Sequence, residues 1–233
     1  MKKIFGLLSS AILATLLAIA VVAYAAPGGA TVSTPTDKGV YPEPSPGNIS
    51  VVSGHIYKSD LTTEQPTYHW AGIYGNVSGK LILGDSDSNK MFEWDANATY
   101  VFFDNDNTVS NWNGLLAATC SDVHGAFNFL VGASDDCTRT FTITDYDPLF
   151  KSIQDSISST IAVKTYDGET PQNHYWETFV VKDGTDVMFV GKVVPEHHTA
   201  YNGEDARYQV ILPENGNNGD TTATTYYVWV ELY

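Results

Sequence analysis

Apolar and polar residues alternate with a period of two along most of this sequence. The alternation is clearest over residues 77–83 and 225–232, where β-branched and aromatic residues predominate. Turn-forming pairs such as Asp183-Gly184 separate these segments. Many short strands divided by turns are typical of sandwiches and barrels, so the pattern predicts an all-β fold: an antiparallel, jelly-roll-like β-sandwich. The predicted strands are residues 49–57, 67–74, 77–83, 90–94, 99–103, 139–144, 161–166, 175–181, 187–194, 208–212 and 225–232.

One or two short helices are expected beside the strands. Asp147 and Pro148 are suited to the cap and first turn of a helix. Apolar residues spaced for one helical face follow, namely Leu149, Phe150, Ile153 and Ile157. A shorter helical turn is predicted around residues 113–119.

The first 25 residues have the pattern of a secretion signal peptide. Lys2 and Lys3 precede an apolar stretch over residues 4–22, and Ala23-Tyr24-Ala25 fits a cleavage site. Two alternatives remain open: an uncleaved membrane anchor, and a type IV pilin leader cut after Gly6. Such pilins usually carry glutamate at the fifth mature position, where this chain has Ala11. We expect a secreted protein at the cell surface.

Residues 26–48 predict an extended arm before a single β-sandwich domain over residues 49–233. Pro42, Pro44 and Pro46 favour a polyproline-like path. Within the arm, Ala30, Thr31, Val32, Ser33 and Thr34 form a short uncharged stretch of high β-propensity. We expect either a flexible terminus or a donor strand over residues 26–36 that pairs with a neighbouring copy.

Cys120 and Cys137 are the two cysteines of the chain. Two cysteines in an exported protein predict a disulfide, which would stabilise the fold by about 3 kcal/mol through the loop it closes.

Acidic residues outnumber basic ones by 27 to 12, which gives a formal net charge of −15. Removal of residues 1–25 would take away two lysines and leave 10 − 27 = −17. A basic face is needed to bind phosphate, so nucleic acid is a poor partner for this chain. No second apolar stretch predicts a membrane span after signal cleavage. No cofactor fingerprint is present, and we expect no cofactor and no enzymatic activity.

Two acidic runs are weak candidates for a structural Ca²⁺ site. They contain Asp85 with Asp87, and Asp104 with Asp106. Oxygen ligands at alternating positions suit Ca²⁺, but aspartate is also a common turn residue, and turns are the expected role here. The adjacent pair His197-His198 is expected to lie in solvent, because neighbouring strand residues point to opposite faces.

Aromatic residues are abundant, with five Trp, fourteen Tyr and ten Phe. Most lie in predicted strands, so core packing is expected, with a sugar-binding platform of exposed rings as the alternative. Asn48, Asn76 and Asn97 begin sequons and would be exposed glycosylation sites in a host that modifies them.

Two passages resemble a family of secreted surface proteins found in archaea and thermophilic bacteria. The first carries a W-x-G-x-Y-G-N-V-S-G motif from Trp70 to Gly79, and Met91-Phe-Glu-Trp94 follows it. The second comprises residues 208–216 and 226–232. These segments cover about a fifth of the chain and bracket the predicted domain. The family is largely uncharacterised, so the resemblance implies location rather than activity.

The layout of leader, short arm and β-sandwich also resembles subunits of bundling pili and biofilm fibres. That resemblance implies donor-strand complementation, in which the arm of one subunit completes the sheet of the next. We therefore expect a homopolymeric surface filament that supports adhesion or biofilm. The alternatives are a monomeric adhesin or carbohydrate-binding module that recognises surface glycans, and a secreted hydrolase, for which no two particular carboxylates can be paired from the sequence.

Overall fold

The fold is taken from a computed structural model that describes residues 26–129, 131–153, 157–166, 175–214 and 222–233. The predicted signal peptide lies outside these residues. The described strands are β1 Gly28–Gly29, β2 Trp70–Gly75, β3 Gly79–Gly84, β4 Lys90–Ala96, β5 Ala98–Asp104, β6 Leu116–Ala117, β7 Ile143–Tyr146, β8 Thr160–Lys164, β9 Glu177–Asp183, β10 Asp186–Lys192, β11 His198–Thr199, β12 Asp205–Ala206, β13 Tyr208–Pro213 and β14 Tyr227–Leu232. The helices are α1 Cys120–Phe127 and α2 Cys137–Thr140, and a 3-10 turn covers Trp112–Gly114.

An antiparallel eight-stranded sheet forms the main layer, in the order β1-β14-β5-β10-β9-β8-β7, with β6 also paired to β9. Its centre is the β9–β10 hairpin, whose turn contains Gly184 with a positive φ of 65°. The C-terminal strand β14 lies between β5 and the short N-terminal β1. This large antiparallel sheet and the two short helices confirm the predicted all-β sandwich class.

The central strands of this sheet are covered on both faces. On one face, β13 pairs with β2 and packs across β9 and β10, so that a Cβ added to Gly191 would lie 2.1 Å from Val210 Cγ2. On the other face, the segments around Trp112 and Phe150 cover Phe102 and Phe179. Two-sided burial explains why β5, β9 and β10 are nearly continuous apolar runs rather than alternating ones.

The predicted disulfide is present and joins the first residues of the two helices. Cys120 and Cys137 are bonded with their Cα atoms 5.4 Å apart. Helix α1 begins with a capping box in which Thr119 and Asp122 each bond the other's backbone N–H. Its apolar side, Val123 and Phe127, packs into the core beneath β13 and β2. The bond therefore holds both helices over one face of the main sheet.

Three local predictions are wrong. Residues 49–57 form no strand, because a turn at Ser53-Gly54 interrupts them. No helix is present over residues 147–153, because the backbone N–H groups of Lys151 and Ser152 donate to the Glu231 carboxylate instead of to helical carbonyls. The last turn of that predicted helix lies partly outside the described residues. The segment predicted as a strand over residues 139–144 begins as α2, which Asp136 caps, and becomes extended only at Ile143.

Candidate assembly surface

The predicted donor strand begins at the outer edge of the main sheet. Gly28 lies opposite Val230 and Gly29 opposite Trp229 of the same chain. One further backbone bond, 2.8 Å long, runs from the Ala30 N–H to the Val228 carbonyl. The arm therefore covers the edge of β14 within its own chain, but only over these few positions.

The rest of the predicted donor strand has no partner strand in the described part of the chain. Ala30 is half-buried, whereas Thr31, Val32, Ser33 and Thr34 are exposed and belong to no strand. Continued in the same register, Val32 would lie opposite Tyr226, and its N–H would point to the sheet as that of Ala30 does. The edge of β14 thus has room for a longer strand than the one it pairs with.

Residues 31–69 cross the surface without a described strand. Thr67 and His69 hold the end of this stretch through Asp135, and further side-chain contacts hold the part before it. Lys38 forms a 2.7 Å ion pair with Glu204, and the Tyr41 hydroxyl donates to Glu64 at 2.7 Å. The Tyr68 hydroxyl donates to Glu43 at 2.9 Å. The two Tyr–Glu bonds close the base of a projecting loop, residues 44–62, which we call the arm loop.

The tip of the arm loop, residues 49–57, is compact and apolar. The His55 N–H donates to the Val52 carbonyl at 3.2 Å, and Gly54 supplies the positive φ of 81° that the turn requires. The Val52 N–H donates to the Tyr57 hydroxyl at 3.1 Å. The exposed apolar side chains of the tip are Ile49, Val51, Val52, Ile56 and Tyr57.

A second exposed apolar surface lies on the β3–β4 hairpin. Each of these strands pairs only with the other among the described residues. Leu81 lies opposite Trp94 and Leu83 opposite Phe92, which places the four side chains on one face of the hairpin. The rings of Phe92 and Trp94 meet edge to face, with their centroids 4.8 Å apart. All four residues are exposed, and we call them the hairpin face.

The opposite face of the hairpin is mixed in character. Ile82 lies there between Lys80 and Glu93, which form an ion pair across the two strands. Both faces of the hairpin are thus exposed in the single chain, and the hairpin face is the one that carries no charged side chain.

The four aspartates considered for Ca²⁺ lie in two separate turns. The Asp85 carboxylate accepts from the backbone N–H groups of Asp87 and Asn89, at 3.1 and 2.8 Å, and closes the β3–β4 turn. These bonds lower the pKa of Asp85, the side chain of Asn89 having the largest effect. Asp106 likewise accepts from Thr108, which lowers its pKa. Within the described ranges, no three His, Cys, Asp or Glu side chains are grouped to hold a metal ion.

Asp104 differs from the other three because it is fully buried at the end of β5. One carboxylate oxygen accepts from the Asp106 N–H at 3.0 Å, and the other has no hydrogen-bond partner. Burial raises the pKa of Asp104 to about 6, and the nearby Asp186 contributes.

Two other buried carboxylates hold the framework. Glu231 on β14 accepts from the backbone N–H and the hydroxyl of Ser152, at 2.7 and 2.9 Å. Glu177 on β9 lies 2.9 Å from the Lys192 ammonium and accepts from the Tyr146 hydroxyl at 2.9 Å. Burial, followed by the charge of Glu177, raises the pKa of Tyr146 well above its usual range. Both carboxylates are therefore bonded to side chains or backbone groups of the framework.

The tryptophans and the sequons complete the predicted surface. Trp176 is fully buried, Trp70, Trp112 and Trp229 pack against the two core clusters, and Trp94 alone among the five is exposed. Core packing is therefore the main role of these rings, as expected. The three sequon asparagines, Asn48, Asn76 and Asn97, are all exposed.

No protein-family model, curated protein or solved structure matches this chain. Helices of the length and apolar character needed to cross a bilayer are absent from the described residues. The disulfide fits an oxidising compartment outside the cytoplasm.

Proposed function

We propose that this protein is an extracellular structural subunit of a surface filament, assembled by donor-strand complementation and supporting adhesion or biofilm. The observation that carries the proposal is the edge of β14, which the arm of the same chain covers through Gly28, Gly29 and the N–H of Ala30. A strand edge left with free N–H and C=O groups is a template for another strand.

Exchange of arms between copies would extend this pairing. If residues 26–36 of a neighbour lie along β14 in the same register, Val32 adds a backbone bond to the Tyr226 carbonyl that the single chain lacks. The donor segment and the β14 edge are different surfaces, so the contact is heterologous. Repeated without closure, heterologous contacts produce a filament.

The charge of the chain fits assembly outside the cell through specific contacts. With 27 acidic and 12 basic residues, copies repel one another at long range. Residues 28–34 of the donor segment are uncharged, so β14 can be approached without adding to that repulsion.

The test is a proline scan of the arm with a matched control. Val32→Pro removes the backbone N–H that would bond the Tyr226 carbonyl of the neighbour, next to β14. Val40→Pro alters another exposed valine outside the donor segment, 67% exposed against 54% for Val32. We expect Val32→Pro, and deletion of residues 26–36, to give folded monomers without filaments by negative-stain electron microscopy, while Val40→Pro assembles. Filaments of normal length from the Val32→Pro variant would refute donor-strand assembly.

A monomeric adhesin or carbohydrate-binding module is the second candidate. The observation in its favour is the exposed pair of rings at Phe92 and Trp94, since flat aromatic rings stack on sugars. A glycan array separates the two functions: glycan binding that Trp94→Ala abolishes, by a protein that stays monomeric, would support the module instead of the filament.

A further inference from the structure

Two apolar surfaces of the described chain are exposed and have nothing packed on them: the arm-loop tip and the hairpin face. We infer that the arm-loop tip of one copy packs on the hairpin face of a second copy. This inference deepens the proposed filament and rests on it, because it adds a second contact between neighbours besides the donor strand.

The areas match what a specific interface needs. At about 150–250 Å² for a large side chain, the exposed fractions correspond to roughly 600 Å² on the tip and 350 Å² on the hairpin face. A contact buries similar areas on both sides, so the smaller hairpin face limits it to about 350 Å² of apolar surface per copy, or about 700 Å² in total. With about 60% apolar area, such an interface would bury about 1,200 Å², the lower end of the size range of stable protein–protein contacts.

The two surfaces also have chemistry that suits a contact. The turn at Gly54 and the bond from the Val52 N–H to the Tyr57 hydroxyl fold the tip back on itself, and its apolar side chains stand in solvent. Ile56 is 100% exposed. The hairpin face presents two aromatic rings beside two leucines. Binding hot spots are enriched in tryptophan, and Trp94 supplies one on the hairpin face.

Charge also favours these surfaces as the place where copies meet. None of the nine side chains is charged, although acidic residues dominate the chain. Contact between them therefore avoids the repulsion that acidic surfaces would add. The base of the arm loop is fixed by the Tyr41–Glu64 and Tyr68–Glu43 bonds, and the apolar side chains of its tip are exposed and open to a neighbour.

Neighbouring residues of β3 provide a matched pair of variants. Leu83 is 50% exposed on the hairpin face, and Ile82 is 51% exposed on the opposite face. Two forms of the full mature chain are prepared, one with Val51→Cys and one with Leu83→Cys. No free cysteine competes among the described residues, since the two native cysteines are bonded. The forms are mixed under assembly conditions and oxidised, and cross-linked dimers are quantified on non-reducing gels.

We expect efficient cross-links between the two forms. Adding Phe92→Lys to the Leu83→Cys form should lower the yield about tenfold or more, as expected for a contact weakened by at least about 1.4 kcal/mol. Adding Ile82→Lys should leave the yield unchanged. Absence of cross-links in filaments that assemble normally would overturn the inference while donor-strand assembly stands. Cross-links in Val32→Pro filaments of normal length would support the contact while the proposed donor-strand assembly fails.

Two further results would overturn the inference. In a chain carrying both cysteines, predominantly intramolecular bonding would show that the tip covers the hairpin of its own copy. Glycan binding that requires Trp94, without any cross-link, would show that the hairpin face recognises sugar.

Discussion

Replacing Asp104 with asparagine should remove a pH dependence that is built into the end of β5. The carboxyl group is fully buried, one of its oxygens has no hydrogen-bond partner, and its pKa is raised to about 6 from an ordinary 3.8. The folded chain thus holds the proton more tightly than the unfolded chain. This tighter proton binding stabilises the folded chain fully below about pH 4, and that stabilisation is lost as the pH rises through about 6.

The size of this effect follows from the pKa difference. A rise of about two pKa units corresponds to roughly 3 kcal/mol between the protonated and ionised forms. Partial screening by solvent lowers the expected value to about 2 kcal/mol. The asparagine side chain cannot ionise. As the pH is raised from about 4 to 8, the free energy of unfolding of the Asp104→Asn variant should therefore rise by about 2 kcal/mol relative to that of the parent.

Urea unfolding of the monomeric fraction, with the disulfide intact, measures this difference at the two pH values. The control is Asp106→Asn. Asp106 is exposed, and bonds from Thr108 lower its pKa below 3.8, so its contribution to stability changes only below about pH 4. The difference between this variant and the parent should therefore be the same at the two pH values. If Asp104→Asn changes the free energy of unfolding equally at both pH values, the burial argument is refuted.

Three further changes test the framework. The double variant Cys120→Ala/Cys137→Ala should lower the free energy of unfolding by about 3 kcal/mol in urea, and an unchanged midpoint would contradict this. Glu231→Ala should lower the free energy of unfolding by about 1–3 kcal/mol for each buried donor left unpaired, such as the Ser152 N–H and hydroxyl, measured in the same way. Gly191→Ala should lower the melting temperature, because its methyl group would press on Val210 where the two layers touch; overpacking of this kind costs about 1–3 kcal/mol.

Local sequence patterns were sufficient to predict most of the strands. Turn pairs and runs of β-branched and aromatic residues located β2 to β5 and β8 to β10, because both signals are local to each strand. They remain readable even where two-sided burial makes β5, β9 and β10 continuous apolar runs. The two-residue pairing of Gly28 and Gly29 with β14 carries no such pattern. It depends on a partner about 200 residues away in the chain, which local reasoning does not detect.

The wrong predictions have the same cause, since they too depend on parts of the chain that are distant in sequence. Residues 147–153 have helical spacing, but Glu231, far away in sequence, takes their N–H groups. Residues 49–57 alternate like a strand, yet no strand of the described chain lies beside them. Helix α1 was detectable, because Thr119 and Asp122 form a capping-box pattern in the sequence.

The candidate assembly surface was only half predictable. The β-prone residues 30–34 marked the arm, whereas the hairpin face looks like core in the sequence. Leu81, Leu83, Phe92 and Trp94 alternate as buried residues do, and only the three-dimensional arrangement shows that they are exposed, with none of the described strands packed over them.

The position of β1 beside β14 would set an order of events in the proposed export. A chain threaded through a membrane channel from its N-terminus delivers Gly28 long before Val230, so the arm has to wait for its own partner strand to emerge. During that delay the arm is free to pair with β14 of a copy outside whose own arm has left that edge. Because contacts between distant parts of a chain form slowly, capture by that neighbour competes with self-pairing. In the proposed filament, the growing end would in this way recruit each new subunit while it is still being translocated.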